Sequence, residues 1–327
     1  SNRPRSHVDT YDPSIARAVA DAITKVEPDV VVASTLGIVE YLPQRLSCAT
    51  VLEEHNCEYA VLKRTADRAT GCVESMRRGL GWRKFARWEA AICRRYDVVV
   101  MVSEQDRQLI LARAPDLRDV RVVPNGVDTD YYSPNERAPE PDTLLYNGAL
   151  TFGANLDAVR YYTSEIYPLL RRLRPNATLR VTGRTAGVNL AGIEDCEGVR
   201  LLGYVDDMRD VLRTSAVCVV PLREGGGSRL KILEAMAAGL PVVATSMGAE
   251  GTDAIDGQHL LLADTANQFA EMVDRLLKDP ALASSLSAAA RRLVEEHYSW
   301  RAIGGDFREL VEETLQNRSR AGVRPSR

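Results

Sequence analysis

PLREGGGSRLKILEAMAAGLPVVAT (residues 221–245) sets three consecutive glycines, two cations and a glutamate between two apolar runs. The run ahead of it, AVCVVP (216–221), reads as a buried strand, and RLKILEAMAAG reads as a helix stopped by Gly239 and Pro241. Strand, glycine turn and helix make up the repeating unit of an open α/β sheet, whose ligands bind beyond the carboxyl ends of the strands. Glycines there let backbone N–H groups approach phosphate oxygens, and the helix end adds about half a positive charge. Ser228 stands at the expected N-cap. Arg229 and Lys231 place two full positive charges in the first turn, which opposes the helix dipole unless an anion compensates them. Glu234 follows Leu230 by one turn and is placed to accept hydrogen bonds from a ribose diol. In the plainer alternative, Gly225, Gly226 and Gly227 form a flexible turn, Arg229 and Lys231 are solvated, and Glu234 pairs with Lys231. Residue chemistry alone leaves both readings open.

The same grammar extends outward along the chain. Continuous apolar runs occur at 29–34, 49–54, 97–103, 143–148, 178–183, 216–221 and 241–245, alternating with segments of helical period. Continuous rather than alternating apolar strands imply a parallel sheet covered on both faces, so the fold class is α/β. The pattern occurs twice, separated by NGVDTDYYSPNERAPEPD (125–142), in which Pro134, Pro139 and Pro141 break any period. This predicts one Rossmann-like domain over 1–136 and a second over 137–298. A C-terminal helix over 299–316 should return toward the first domain, and a basic tail over 317–327 should be disordered. The first half offers three convincing strands and a short VRVVP (120–124), fewer than a full doubly wound domain carries. Its polar opening, SNRPRSHVDTYDPS, leads to the expectation that the first strands of this domain are absent.

Bulk composition narrows the function classes. At 327 residues and 45% hydrophobic, the chain can build two cores. A net charge of −3 argues against a protein organised around nucleic acid. Cysteines 48, 57, 72, 93, 196 and 218 show neither CxxC spacing nor histidine pairing, so a zinc site and a disulfide framework are not expected and a reducing, cytoplasmic compartment is. No apolar run approaches the roughly 20 residues of a membrane-spanning helix.

Taken together, the stretches resemble the retaining glycosyltransferases of family 4. GGGSRLKILEAMAAGLPVVATSMGAEG resembles their donor-binding segment, and EEHNCEY (53–59), VSEQD (102–106), VVPNGVD (122–128), YNGALTFGANLDAVRYY (146–162), VTGR (181–184), LGYVDD (202–207) and YSW (298–300) agree in order and spacing. The resemblance implies the GT-B fold of two facing Rossmann-like domains with parallel sheets. It also implies transfer of a sugar from a nucleoside diphosphate to a carbohydrate, lipid-linked or small-molecule hydroxyl, with retention of configuration and without a metal or other cofactor. Glu234 matches the second glutamate of the family's E-x7-E pattern, which binds the ribose. Gly226 stands where the first would be, as in a subset with GGG-S/T-R-L-K, and the backbone N–H groups of Gly225, Gly226, Gly227 and Ser228 would then face the sugar. NGALTFGANLDA lacks the family's Arg and Lys, so diphosphate charge falls to Arg229 and Lys231, with Arg184 as a third cation or a solvated loop residue. Gly148 admits sugar or phosphate, and the backbone at Tyr204 and Val205 resembles the edge that contacts the base.

His55 matches the family's histidine near the transferred sugar, although a lone histidine after a strand is more often structural. His7, His259 and His297 lie in surface contexts. Asn56, Glu58 and Arg64 are candidates for the acceptor side. The segment 76–97 concentrates seven Arg or Lys with Trp82, Phe85 and Trp88. Membrane-surface contact is one reading of it. A core helix with Trp82, Phe85, Ile92 and Tyr96 inward is the favoured one. A rival to catalysis is a nucleotide-sugar-binding module, a truncated remnant or one chain of a two-chain enzyme. A GT-B epimerase fits the fold but not GGGSRLK.

Overall fold

The computed structural model describes residues 11–67, 71–134, 138–225 and 229–320. They form two compact units: one runs up to Asn125 and resumes at Ile303, and the other comprises Gly126–Gly225 and Arg229–Ala302. Both are α/β, with parallel strand pairing throughout their described sheets.

In the first unit the order is α1 (Pro13–Val26), β1 (Val30–Ser34), β2 (Ala49–Glu54), α2 (Glu58–Asp67), α3 (Cys72–Cys93), β3 (Val98–Met101), α4 (Glu104–Arg113) and β4 (Val120–Val122). The sheet runs β1-β2-β3-β4 in sequence order. Successive residues of a strand face opposite sides of a sheet, and here both sides are covered. Leu52, Val99 and Met101 pack with Phe85, Ile92 and Ile110 of α3 and α4. Val51, Val98 and Val100 pack instead with Ile303 and Leu310 of the C-terminal helix, Trp300–Arg320. That second cover is why β3 is apolar at every position.

The second unit contains β5 (Thr143–Asn147), α5 (Gly153–Tyr161), α6 (Tyr167–Leu173), β6 (Thr178–Thr182), β7 (Val199–Gly203), α7 (Met208–Thr214), β8 (Val217–Val220), α8 (Leu230–Ala237), β9 (Val242–Ala244), α9 (Ser246–Ala249), β10 (Leu261–Leu262), α10 (Ala266–Lys278) and α11 (Pro280–His297). A π-helical turn, Tyr162–Ile166, links α5 to α6. The strand order is β10-β9-β8-β5-β6-β7, so the winding direction reverses between β5 and β8. Loops leaving those two strands diverge and open a crevice, the usual ligand position in a doubly wound sheet.

The seven apolar runs read from the sequence, and the short VRVVP, all lie on strands; β7 and β10 are not among them. Burial alternates along β7, an edge strand, so it carries no continuous apolar run. β10 has only two residues. The first unit ends at Asn125, ahead of the expected boundary after residue 136. The reason is local bonding: Val127 N–H donates to Tyr298 O at 2.7 Å, and Trp300 N–H donates to Val127 O at 3.2 Å. The expected tail also differs, because helix continues through Arg320. Arg318 holds it there by donating to Asp97 and to the Leu46 carbonyl.

Candidate functional site

The donor-site residues read from the sequence gather at the carboxyl edge of the second sheet. Gly148 follows β5, Arg184 follows β6, Tyr204 and Val205 follow β7, and Gly225 follows β8. Gly226, Gly227 and Ser228 lie outside the described residues. Arg229 stands at the N-cap of α8, one place later than the expected cap at Ser228, and its side chain makes no capping bond. The helix ends as expected, with Gly239 left-handed at φ 73°.

Neither cation is solvated. Arg229 is 8% exposed and donates to the Met247 carbonyl at 3.3 Å, with Glu250 3.8 Å away. Gly225 lies against it at φ 123°, where a Cβ would stand 2.8 Å from Arg229 Nη1. Lys231 turns toward β5. Its Nζ donates to Tyr146 Oη at 2.9 Å and Asn155 Oδ1 at 2.8 Å, and sits 4.2 Å over the Tyr146 ring. Burial drives its ammonium down to about 7; Arg229 adds to the fall, while Cys218 and Glu234 oppose it. A charge removed from water and answered only by a hydroxyl and an amide is poorly compensated.

Gly148 makes this arrangement possible. A Cβ there would fall 2.8 Å from both Lys231 Nζ and Asn155 Nδ2, so the space expected to admit sugar or phosphate is taken by the lysine and asparagine ends. Glu234 does not turn back along its helix to Lys231. One carboxylate oxygen accepts from Asn147 Nδ2 at 2.8 Å and the other from Tyr132 Oη at 3.4 Å. Burial raises its pKa, against the pull of both partners and of Lys231. Arg184 is exposed and lies 5.6 Å over the ring of Tyr204, itself 66% exposed. Those two side chains form an open wall beside the switch point.

In the first unit, His55 is exposed directly after β2. Asn56 is half-buried, and its buried Oδ1 meets no partner among the described residues. Burial raises the Glu58 carboxyl, and His55 opposes the rise. Arg64 lines a groove of about 270 Å³ with Tyr59, Lys63, Trp82 and Arg113. His259 departs from its expected surface context: it is buried, its Nδ1 accepts from Ile255 N–H at 3.0 Å, and burial lowers its pKa. His297 is exposed as expected, and His7 lies outside the described residues.

The two units match two family descriptions in turn. "Glycosyltransferase Family 4" covers residues 2–131 and "Glycosyl transferases group 1" covers residues 141–279. The chain belongs to the GT-B glycosyltransferases. It is 30% identical to glycogen synthase of Mycobacterium tuberculosis over 205 residues, 58% of this chain and 47% of that one. Sucrose-phosphate synthase of Thermosynechococcus elongatus shares the fold at a TM-score of 0.73 and 20% identity, covering 93% of this chain and 78% of that one. HepE of Anabaena, solved with UDP-glucose, shares it at 0.67 and 16%, covering 95% and 84%. The chain spans about half the length of the curated relatives it matches.

Within this GT-B chain, sequence reasoning missed Tyr132, Tyr146, Asn147 and Asn155, the residues that hold Lys231 and Glu234. Tyr146 and Asn147 immediately precede the glycine that ends β5, and Asn155 lies in the first turn of α5. They carry no positive charge and so do not read as phosphate ligands, although polar side chains at a switch-point strand end are the available signal.

Proposed function

We propose that the chain transfers a sugar from a nucleoside diphosphate sugar to a hydroxyl acceptor with retention of configuration. Lys231 carries this reading: its desolvated ammonium has no carboxylate hydrogen-bond partner among the described residues and lies where α8 begins, beside the switch point. A diphosphate supplies the missing negative charge, and Arg229 and the amides leading into α8 add to it as charge grows on the leaving group. This assigns charge neutralisation to the chain itself and needs no resident cofactor or metal. Glu234, pre-oriented by Asn147 and Tyr132, keeps lone pairs free for a ribose diol. The second unit is accordingly the donor domain, with Arg184, Tyr204 and Val205 along the nucleotide. The first is the acceptor domain, with His55 as its contribution to the reaction.

Glu234→Ala and Arg229→Ala should each weaken nucleotide-sugar binding by about 1.5–3 kcal/mol, the range for charge-assisted hydrogen bonds. Titration calorimetry against a panel of sugar nucleotides checks this, and unchanged affinity in both variants overturns the assignment. Tight binding without turnover would favour the non-catalytic module instead.

A membrane surface is proposed as the neighbour of the first unit. Phe85 and Ile92 of α3 are buried, and Trp82 and Tyr96 pack half-buried against the same core, as the core reading expects; Trp88 is buried with them. Its first turns nevertheless present Val73, Met76 and Leu80 at 76%, 64% and 65% exposure. Arg77 follows Val73 by four positions, and Lys84 and Arg87 follow Leu80 by four and seven, so the cations share that helical face. Apolar residues among cations suit an anionic bilayer. Vesicles rich in phosphatidylglycerol should float the chain, and Met76→Glu with Leu80→Glu should reduce the bound fraction about tenfold. Equal binding to neutral vesicles would exclude this surface.

A further inference from the structure

Helix α2 begins without a cap of its own. The residue before it is Cys57, whose carbonyl accepts from Ala60 N–H at 3.0 Å as an N-cap carbonyl does, but whose thiol is a weak acceptor. Two buried carboxyl groups from other helices serve the orphan amides instead. Glu89 of α3, fully buried, accepts from Glu58 N–H at 2.8 Å and from Tyr59 N–H at 3.0 Å, one on each oxygen. Asp106 of α4 accepts from Cys57 N–H at 2.9 Å and is fixed from its other oxygen by Ser103 Oγ at 2.6 Å.

We propose that Glu89 and Asp106 are positioning residues for His55, holding the start of α2 and therefore the three-residue span, His55 to Cys57, that joins it to β2. The proposal rests on the assignment of His55 to the reaction. His55 and Asn56 are suspended between the end of β2 and an amide cluster clamped by these carboxyls, so the clamp fixes the backbone from which His55 projects.

Glu54, the last residue of β2, completes the device. It is 1% exposed, interacts electrostatically with Glu89, and accepts from the Cys93 thiol at 3.1 Å. The surrounding titratable groups are Cys57 and His55 in the loop, Glu58 and Tyr59 of α2, Cys93 of α3, Tyr96 beyond it, and Asp106 with Arg113 of α4. Arg113 lies over the far ring of Tyr59, 5.8 Å away. Burial and a neighbouring carboxyl both disfavour ionisation here. Burial raises both, Glu54 to about 7.

Glu89→Gln tests the clamp, since the carboxamide offers one acceptor oxygen where two amides need one each. Backbone exchange at Glu58 and Tyr59, followed by mass spectrometry or NMR, should accelerate at least about tenfold. Nucleotide-sugar affinity should stay within a factor of two. Turnover should fall about tenfold in the otherwise native chain but less than twofold in a His55→Ala background, because a residue acting through His55 has nothing left to position there. Unchanged exchange at these two amides overturns the clamp. Equal turnover losses in both backgrounds overturn its link to His55. If the unaltered chain shows no turnover, the transferase reading fails while the exchange result still decides the clamp. Should Glu89→Gln not fold, Asp106→Ala carries the same measurements, with acceleration expected at Cys57.

Discussion

Lys231→Met is expected to weaken nucleotide-sugar binding by at least about a hundredfold, or roughly 2.7 kcal/mol, while the ligand-free chain melts no lower than before. The opposite signs come from one cause. Lys231 is desolvated and, among the described residues, hydrogen-bonds to Tyr146 and Asn155; burial holds its pKa down to about 7. The unfolded chain therefore binds this proton more tightly than the folded one. The resulting instability is fully present below about pH 7 and fades as pH rises toward the ordinary lysine range. Methionine removes that penalty along with the cation. Tyr146 still donates to Asn155 at 2.8 Å, so the pocket retains a hydrogen bond after the change. Binding a sugar nucleotide reverses the local field, because a pyrophosphate diester stabilises the ammonium. Affinity should thus be flat below pH 7 and fall as pH rises above it, with proton uptake visible in calorimetry across buffers of different ionisation enthalpy. Lys231→Met should flatten that profile. A variant that binds like the parent, or a parent with no pH dependence between 6 and 9, removes Lys231 from the diphosphate site.

How far the sequence carried depended on whether a signal was local. β2, β3, β5 and β8 were legible because helices cover both faces of their sheets, which leaves long apolar runs in the chain. β7 was not, since an edge strand with one wet face loses that run. Lys231 and Glu234 were named from a strand, glycine and helix succession, but their partners were not. Asn147 is 87 positions from Glu234, and Asn155 is 76 from Lys231. Only the closure of β5 against β8 brings them together. Arg229 shows the same limit. A cation in the first turn of a helix reads as an open charge, whereas the fold seats it under Gly225 and against Met247. The clamp on α2 was hidden for a related reason: the residue at the N-cap position is Cys57, a poor capping acceptor, and the groups that replace it come from α3 and α4.

Gly183→Ala and Gly148→Ala should separate folding from binding at neighbouring positions. Gly183 adopts φ 110°, which an L side chain rarely tolerates, and a Cβ there would meet the Gly148 carbonyl carbon and oxygen at 2.5 Å. Backbone cannot rotate away as a side chain does. The same segment is held by Gly183 N–H donating to Gly203 O at 2.7 Å and Gly148 N–H donating to Thr182 O at 3.2 Å, so relief would pull β6 from both neighbours. Gly183→Ala is expected to destabilise the second unit by about 3–5 kcal/mol, read as a lower urea midpoint or failure to accumulate as soluble protein. At Gly148 the obstacles within 2.8 Å are Lys231 Nζ and Asn155 Nδ2, the ends of side chains. They can swing aside at a cost of about 1 kcal/mol, but the lysine then leaves the position from which it would meet a diphosphate. Gly148→Ala should therefore fold and bind sugar nucleotide about tenfold more weakly, with the pH dependence of affinity diminished. If it unfolds as readily as Gly183→Ala, the empty volume at Gly148 serves packing of the sheet edge. Retention of full affinity with native stability would mean that the lysine acts from a second position, which Lys231→Met in the Gly148→Ala background would expose.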